Sequence, residues 1–279
     1  MKFFRGLVIV VILLLNGFVF GQANSTSGFN YSFTFVCELL HNSDYITTDH
    51  LGQVYCVVGD KVYKYDKQGK LLFTYSNKLL GKISYVDATN PLRLLLFYQE
   101  FGQIEFLDDA LSVIGDAIDL QEKDLDQSTL ACTSTNDQMW IYDPKDFRLV
   151  RLDRNLNISY ESANINQLCS YNISPNFILE YKNWLYLNNP ETGILVFDLY
   201  GAYSKTIPIK DLNVFTLENN QLIYFKENRF FIYDTKRFSE LAFDLPGQID
   251  GALDARIERV QNLLVILKEK RLDLYLIED

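Results

Sequence analysis

The amino-acid sequence predicts an all-β fold, a β-propeller of about six four-stranded blades whose ring is closed by an N-terminal strand. Three observations point there. From about Asp49 onward, short apolar runs bounded by turn residues follow one another, and helical periodicity is nearly absent. The runs group into a unit of roughly forty residues with about four strands, the period of propeller blades. The last unit stops one strand short, at Leu276-Ile277-Glu278-Asp279, and a strand-like segment near Phe33 stands ready to fill the deficit.

Residues 1–23 read as a secretory signal peptide. Lys2 and Arg5 give a positive start, Gly6 to Phe20 is almost wholly apolar, and Gly21-Gln22-Ala23 places small residues where a signal peptidase reads. At a rise of about 1.5 Å per residue, a run of about 15 residues spans about 22 Å, short of the roughly 30 Å hydrocarbon core. An uncleaved anchor is therefore the weaker reading, and no cysteine follows the run to carry a lipid. The expectation is a single domain over residues 24–279, exported and most simply periplasmic, with secretion or surface display as alternatives. No stable membrane insertion is expected after cleavage.

Charge narrows the partners. The chain has 36 Asp and Glu against 26 Lys and Arg, a formal charge of −10, and removal of Lys2 and Arg5 makes it more negative. Such a balance opposes a phosphate backbone and an anionic membrane surface, so nucleic acid is excluded as a partner.

The strands follow in order. Tyr31-Ser32-Phe33-Thr34-Phe35-Val36 alternates polar and apolar residues, the pattern of a half-buried strand. The clearest unit begins with the turn Asp49-His50-Leu51-Gly52-Gln53 and the strand Val54 to Val58. It continues through Lys61-Val62-Tyr63-Lys64-Tyr65-Asp66 and turns at Lys67-Gln68-Gly69 into Lys70 to Tyr75. An apolar or aromatic residue followed by an acid marks the last turn of each unit. It is read at Tyr65-Asp66, Leu107-Asp108, Tyr142-Asp143, Phe197-Asp198 and Tyr233-Asp234, at intervals of 42, 35, 55 and 36 residues. Asp bonds its own downstream backbone in turns, so these acids are expected to be structural. The 55-residue interval leaves a seventh, irregular blade open.

Four cysteines, Cys37, Cys56, Cys132 and Cys169, permit two disulfides in an exported chain. Their wide spacing matches no zinc pattern, and small buried residues in strands are the simpler expectation.

The turn of Asp49, Gly52 and Tyr55, followed by Val62-Tyr63-Lys64-Tyr65-Asp66-Lys67-Gln68-Gly69-Lys70-Leu71, resembles a blade of six-bladed propellers of the NHL type. It is also similar to blades in the propeller subunit of the outer-membrane barrel assembly machinery. The resemblance implies the fold and a protein-contacting habit, and carries over no active-site residue.

Chemistry is sparse. The exported part holds only His41 and His50, and it has no H-E-x-x-H, no G-x-S-x-G and no glycine-rich phosphate loop. No catalytic residue, metal ligand or cofactor is assigned. Candidate contacts for a partner or ligand are Asp87, Asn90 and Arg93, in a polar turn that departs from the repeat, and Phe101, in an exposed aromatic hairpin. The alternative is that Asp87 or Thr89 caps the turn and Pro91 fixes it. The expected function is a non-enzymatic protein-interaction or scaffolding module whose partners are envelope proteins. The alternative is a calcium-dependent lactonase-like hydrolase or small-ligand-binding propeller, in which Glu, Asn and Asp oxygens would hold the ion.

Overall fold

The computed structural model describes residues 32–169, 171–245 and 251–278; the signal-peptide assignment to residues 1–23 lies outside them. The first strand, β1 (Ser32–Leu39), stands apart from the rest of its sheet in sequence. Blade 1 is β2 (Tyr45–Thr48), β3 (Val54–Val58), β4 (Lys61–Tyr65) and β5 (Leu71–Ser76). Blade 2 is β6 (Tyr85–Asp87), β7 (Leu94–Tyr98), β8 (Gln103–Leu107) and β9 (Ile118–Asp119). Blade 3 is β10 (Leu130–Ser134), β11 (Gln138–Asp143), β12 (Arg148–Leu152) and β13 (Ile158–Glu161). Blade 4 is β14 (Phe177–Tyr181), β15 (Trp184–Asn189), β16 (Gly193–Asp198) and β17 (Tyr203–Ile207). Blade 5 is β18 (Thr216–Glu218), β19 (Gln221–Lys226), β20 (Arg229–Asp234) and β21 (Ser239–Asp244). Blade 6 takes β22 (Asp254–Glu258), β23 (Leu263–Lys268) and β24 (Arg271–Glu278) from the chain's end. Its fourth strand is β1, paired antiparallel with β24 from Ser32 opposite Glu278 to Leu39 opposite Leu272.

All six sheets are antiparallel; five take consecutive strands, and the sixth closes the ring by adding β1 to β24, β23 and β22. Closure removes an exposed edge at the seam. The middle strands read as continuous apolar runs because they are covered on both faces: Leu94 to Tyr98 and Leu263 to Leu267 are buried throughout. Buried apolar residues fall into six clusters, one for each junction between neighbouring blades. The junction of blades 6 and 1 joins Leu263, Val265, Leu272 and Leu274 to Ile46, Val54 and Cys56, with Val36 and Leu39 of β1 packed alongside. Just beyond β1, His41 hydrogen-bonds the Tyr65 hydroxyl of blade 1.

One turn acid was misplaced by sequence. Asp143 does not open the last turn of blade 3; it ends β11, where Arg148 Nε lies 3.0 Å from its Oδ2. The equivalent residue is Asp153, whose Oδ1 accepts the amides of Asn155 at 2.8 Å and Asn157 at 2.9 Å. Asp66, Asp108 and Asp198 each take amides two and four residues on in the same way, and Asp234 takes those of Lys236 and Arg237. With Asp153 in place the intervals become 42, 45, 45 and 36, which leaves no room for a seventh blade. Tyr142-Asp143 misled because it shows the same aromatic-acid pair one strand early. Gly69 completes the blade 1 turn at φ +80°, and a Cβ there would lie 2.3 Å from Cys37 Sγ of the closing strand. The turn is thus shaped both for its own backbone and for the seam.

All four cysteines are unpaired, with Cys56 and Cys132 buried in strands. The segment Leu111 to Leu125 forms β9 and a single 3-10 turn at Leu120–Lys123. Among the described residues, α-helix is confined to Ile165–Cys169, and no helix is long and apolar enough to cross a membrane.

Candidate functional site

The innermost strands β2, β6, β10, β14, β18 and β22 surround the central channel. Alternation along a strand sends every second side chain to one face, so the channel receives Tyr45 and Thr47, Tyr85 and Asp87, Phe177, Leu179 and Tyr181, and Arg256 and Glu258. Together with Val214, Phe215 and Thr216 they enclose a cavity of about 280 Å³. Four rings form a continuous chain within it. Tyr45 and Tyr85 have centroids 5.7 Å apart, Tyr85 and Phe177 5.9 Å, and Phe177 and Phe215 5.0 Å. The last two contacts are edge-to-face, the arrangement that aromatic quadrupoles favour. Burial pushes the Tyr45 and Tyr85 hydroxyls upward, so both are neutral donors.

One cation sits among these rings. Arg256 is 8% exposed and its guanidinium lies 6.0 Å from the Tyr45 centroid. Burial alone would lower its pKa, but Asp254, with Oδ1 2.5 Å from Nη1, reverses that and holds it charged. Nη1 also donates to the Ala255 carbonyl at 3.1 Å. Nη2 is buried without a protein partner among the described residues.

The mouth of the cavity opens beside the turns between first and second strands. There Glu258 accepts the Val260 amide at 2.9 Å, yet burial, helped by Glu218 and Asp49, raises its pKa to about 7. Arg259 stands between, with Nε 3.6 Å from Glu218 and Nη1 2.5 Å from Gln221 Oε1.

The four sequence candidates separate. Asp87 is buried and fully engaged: Oδ1 accepts the Thr89 amide and hydroxyl, and Oδ2 accepts the Thr133 amide and hydroxyl at 2.7 Å each. It ties blade 2 to blade 3 and shapes the channel wall. Glu180 does the same from the other side, accepting Trp140 Nε1 at 2.8 Å, the Thr135 amide at 3.1 Å and the Ser134 hydroxyl. Asn90 caps its own turn by accepting the Leu92 amide at 3.1 Å. The Arg93 guanidinium stands over the Phe106 ring, 3.5 Å from its centroid. Asn90 and Arg93 line a shallow groove with Thr135, Asp137 and Lys182, on the same face as the channel mouth. Phe101 is at the opposite end of blade 2, in the 3-10 turn Gln99–Phe101 between β7 and β8. Strand direction alone separates it from the other three.

The face that carries Asn90 and Arg93 also shows apolar side chains at the same turns. Leu51 and Trp184 are exposed, as are Leu92 at 65% and Val260 at 63%. They lie on one face of the ring, on blades 1, 4, 2 and 6, and Val260 also lines the cavity.

Sequence reading missed Tyr45, Tyr85, Phe177, Phe215 and Arg256. A signal existed: Tyr45, Tyr85 and Phe177 each open the innermost strand of a blade. Finding them required the innermost strands, which are short and less apolar than the middle strands that reveal the repeat.

No family model matches the chain, and no curated protein matches it in sequence. Solved structures do resemble it. A catalytically inactive virginiamycin B lyase from Staphylococcus aureus, solved with quinupristin, has a TM-score of 0.61 at 14% identity, over 88% of this chain and 99% of that one. The Pan2 WD40 domain of Neurospora crassa has a TM-score of 0.63 at 8% identity, over 87% and 94%. BBS1N, solved in complex with ARL6DN, has a TM-score of 0.53 at 11% identity, over 86% and 79%. At these identities the likeness is one of fold, and the chain is a six-bladed member of the β-propeller class by its own topology.

Proposed function

We infer that this chain is an exported, non-enzymatic propeller that docks an envelope protein on the face of the channel mouth. The observation that carries the reading is the set of exposed apolar side chains, Leu51, Leu92, Trp184 and Val260, contributed by four different blades to one face. Exposed apolar groups shared by several blades on one face mark a contact surface, and Trp is favoured in such contacts. A propeller neighbour, BBS1N, is solved as a complex with a protein, which favours the same use of the fold by analogy. Export rests on the residues of the first 23 positions.

Photo-crosslinking in native cells tests it. A photoreactive residue in place of Leu92 or Trp184 is expected to give a discrete adduct in the envelope fraction. The same residue at Phe101, on the opposite face, is expected to give none. An adduct only from Phe101, or a chain confined to the cytoplasm, would overturn the reading. A large calcium-dependent rise in melting temperature, reversed by chelator, would favour the calcium-dependent hydrolase.

A further inference from the structure

We propose that the channel cavity is a binding site for the carboxylate of an organic acid with an apolar or aromatic body, anchored by Arg256. The cavity opens on the face proposed for docking, where Val260 belongs to both, but binding by the isolated chain is measured without a docked protein, so the two readings fail separately.

Three features converge on that ligand. The first is the unpartnered donor. Asp254 and the Ala255 carbonyl occupy Nη1, and Nη2 of a charged, buried guanidinium has no acceptor among the described residues. A buried donor left unmade is costly, and a guanidinium offers its separate edges to separate acceptors. The second is the wall. Tyr45, Tyr85, Phe177, Leu179 and Phe215 give the cavity aromatic and aliphatic sides suited to stacking a flat or branched apolar body. The third is charge. Asp254 already compensates one unit on Arg256, and Glu218, Glu258 and Asp49 surround the mouth. His50 and Arg259 lie on the same rim, and Asp87, fully bonded to Thr89 and Thr133, adds a negative charge below. These acids oppose any anion, a phosphate dianion about twice as strongly as a single carboxylate, so one negative charge, offset by the guanidinium edge, is the most the site admits. The volume, about 280 Å³, fits a small acid or the last residue or two of a polypeptide. The shared chemistry is the carboxylate, from either source.

Isothermal titration of the exported chain tests this with 3-phenylpropionate, its amide, and a short peptide ending in phenylalanine as free acid or amide. Binding of either acid, with its amide at least about tenfold weaker, is the expected result, since a charge-assisted bond is lost. Binding by the small acid identifies a metabolite-like ligand; binding by the peptide acid alone identifies a chain terminus. Arg256→Gln is expected to abolish the preference for acid over amide. Thr216→Trp, which fills the cavity and leaves the Arg256–Asp254 pair intact, is expected to abolish binding altogether, and covers the case in which the Arg256 variant fails to fold. Equal affinity for acid and amide, no binding of any probe at millimolar concentration, or unchanged binding by folded Thr216→Trp would overturn the proposal.

Discussion

At the scale of single residues, the channel rim carries a carboxyl group placed to titrate near neutrality. Glu258 is held at about 7 chiefly by burial, with Glu218 and Asp49 adding repulsion. Unfolded, it would titrate near the ordinary glutamate value, so the folded chain holds the extra proton between about 4.5 and 7. The favourable contribution is complete below that window and is lost as pH rises through 7. Glu258→Gln keeps the acceptor for the Val260 amide and removes the charge. It is expected to raise stability at pH 8 by about 1 kcal/mol after allowance for solvent screening, and to leave stability at pH 4 unchanged. Denaturant unfolding of both proteins across that range checks it. A flat difference would show that Glu258 does not carry the effect.

At the scale of strands and blades, much was legible. The continuous apolar middle strands, the aspartate turns and the closing strand all announced themselves by residue type, because burial on both faces and turn geometry restrict what each position accepts. What misled was the third blade, where Tyr142-Asp143 imitates the turn pair that Leu152-Asp153 supplies. What stayed hidden was the use of the buried acids. Asp87, Glu105 and Glu180 act between blades: Glu105 accepts from Tyr98 at 3.2 Å within its blade and from Tyr75 of the blade before. Those partners lie about 30 to 46 positions away, beyond the reach of local pattern. The same distance concealed the chain of channel rings. A consequence is that Glu180→Ala should destabilise by about 3 kcal/mol, since Trp140 Nε1 and the Thr135 amide lose their acceptor inside a blade junction. Glu180→Gln, which keeps acceptor oxygen, should cost about half as much. Thermal and chemical melts of the two variants distinguish this from a simple loss of charge, which would affect both equally.

At the scale of the whole molecule, six junctions of similar make hold one ring, and the junction of blades 6 and 1 depends on a strand from the other end of the chain. Deleting residues 32–39 uncovers the β24 edge and removes Val36, Cys37 and Leu39 from their places beside the last cluster. The expected result is a melting temperature at least about 10 °C lower, with self-association through the bare edge, read by calorimetry and sedimentation. A synthetic peptide of that segment should restore both, and a deletion variant that melts like the parent would refute the role of closure. The same seam gives the fold a test of its own length. Ser32 and Glu278 are hydrogen-bonded across a separation of 246 positions. A chain broken off before Arg271 leaves β1 without β24 and keeps an open edge, whatever the quality of its first five blades. Chains ending short of Arg271 are therefore expected to be cut more readily by proteases than the closed ring, a difference that limited proteolysis reads.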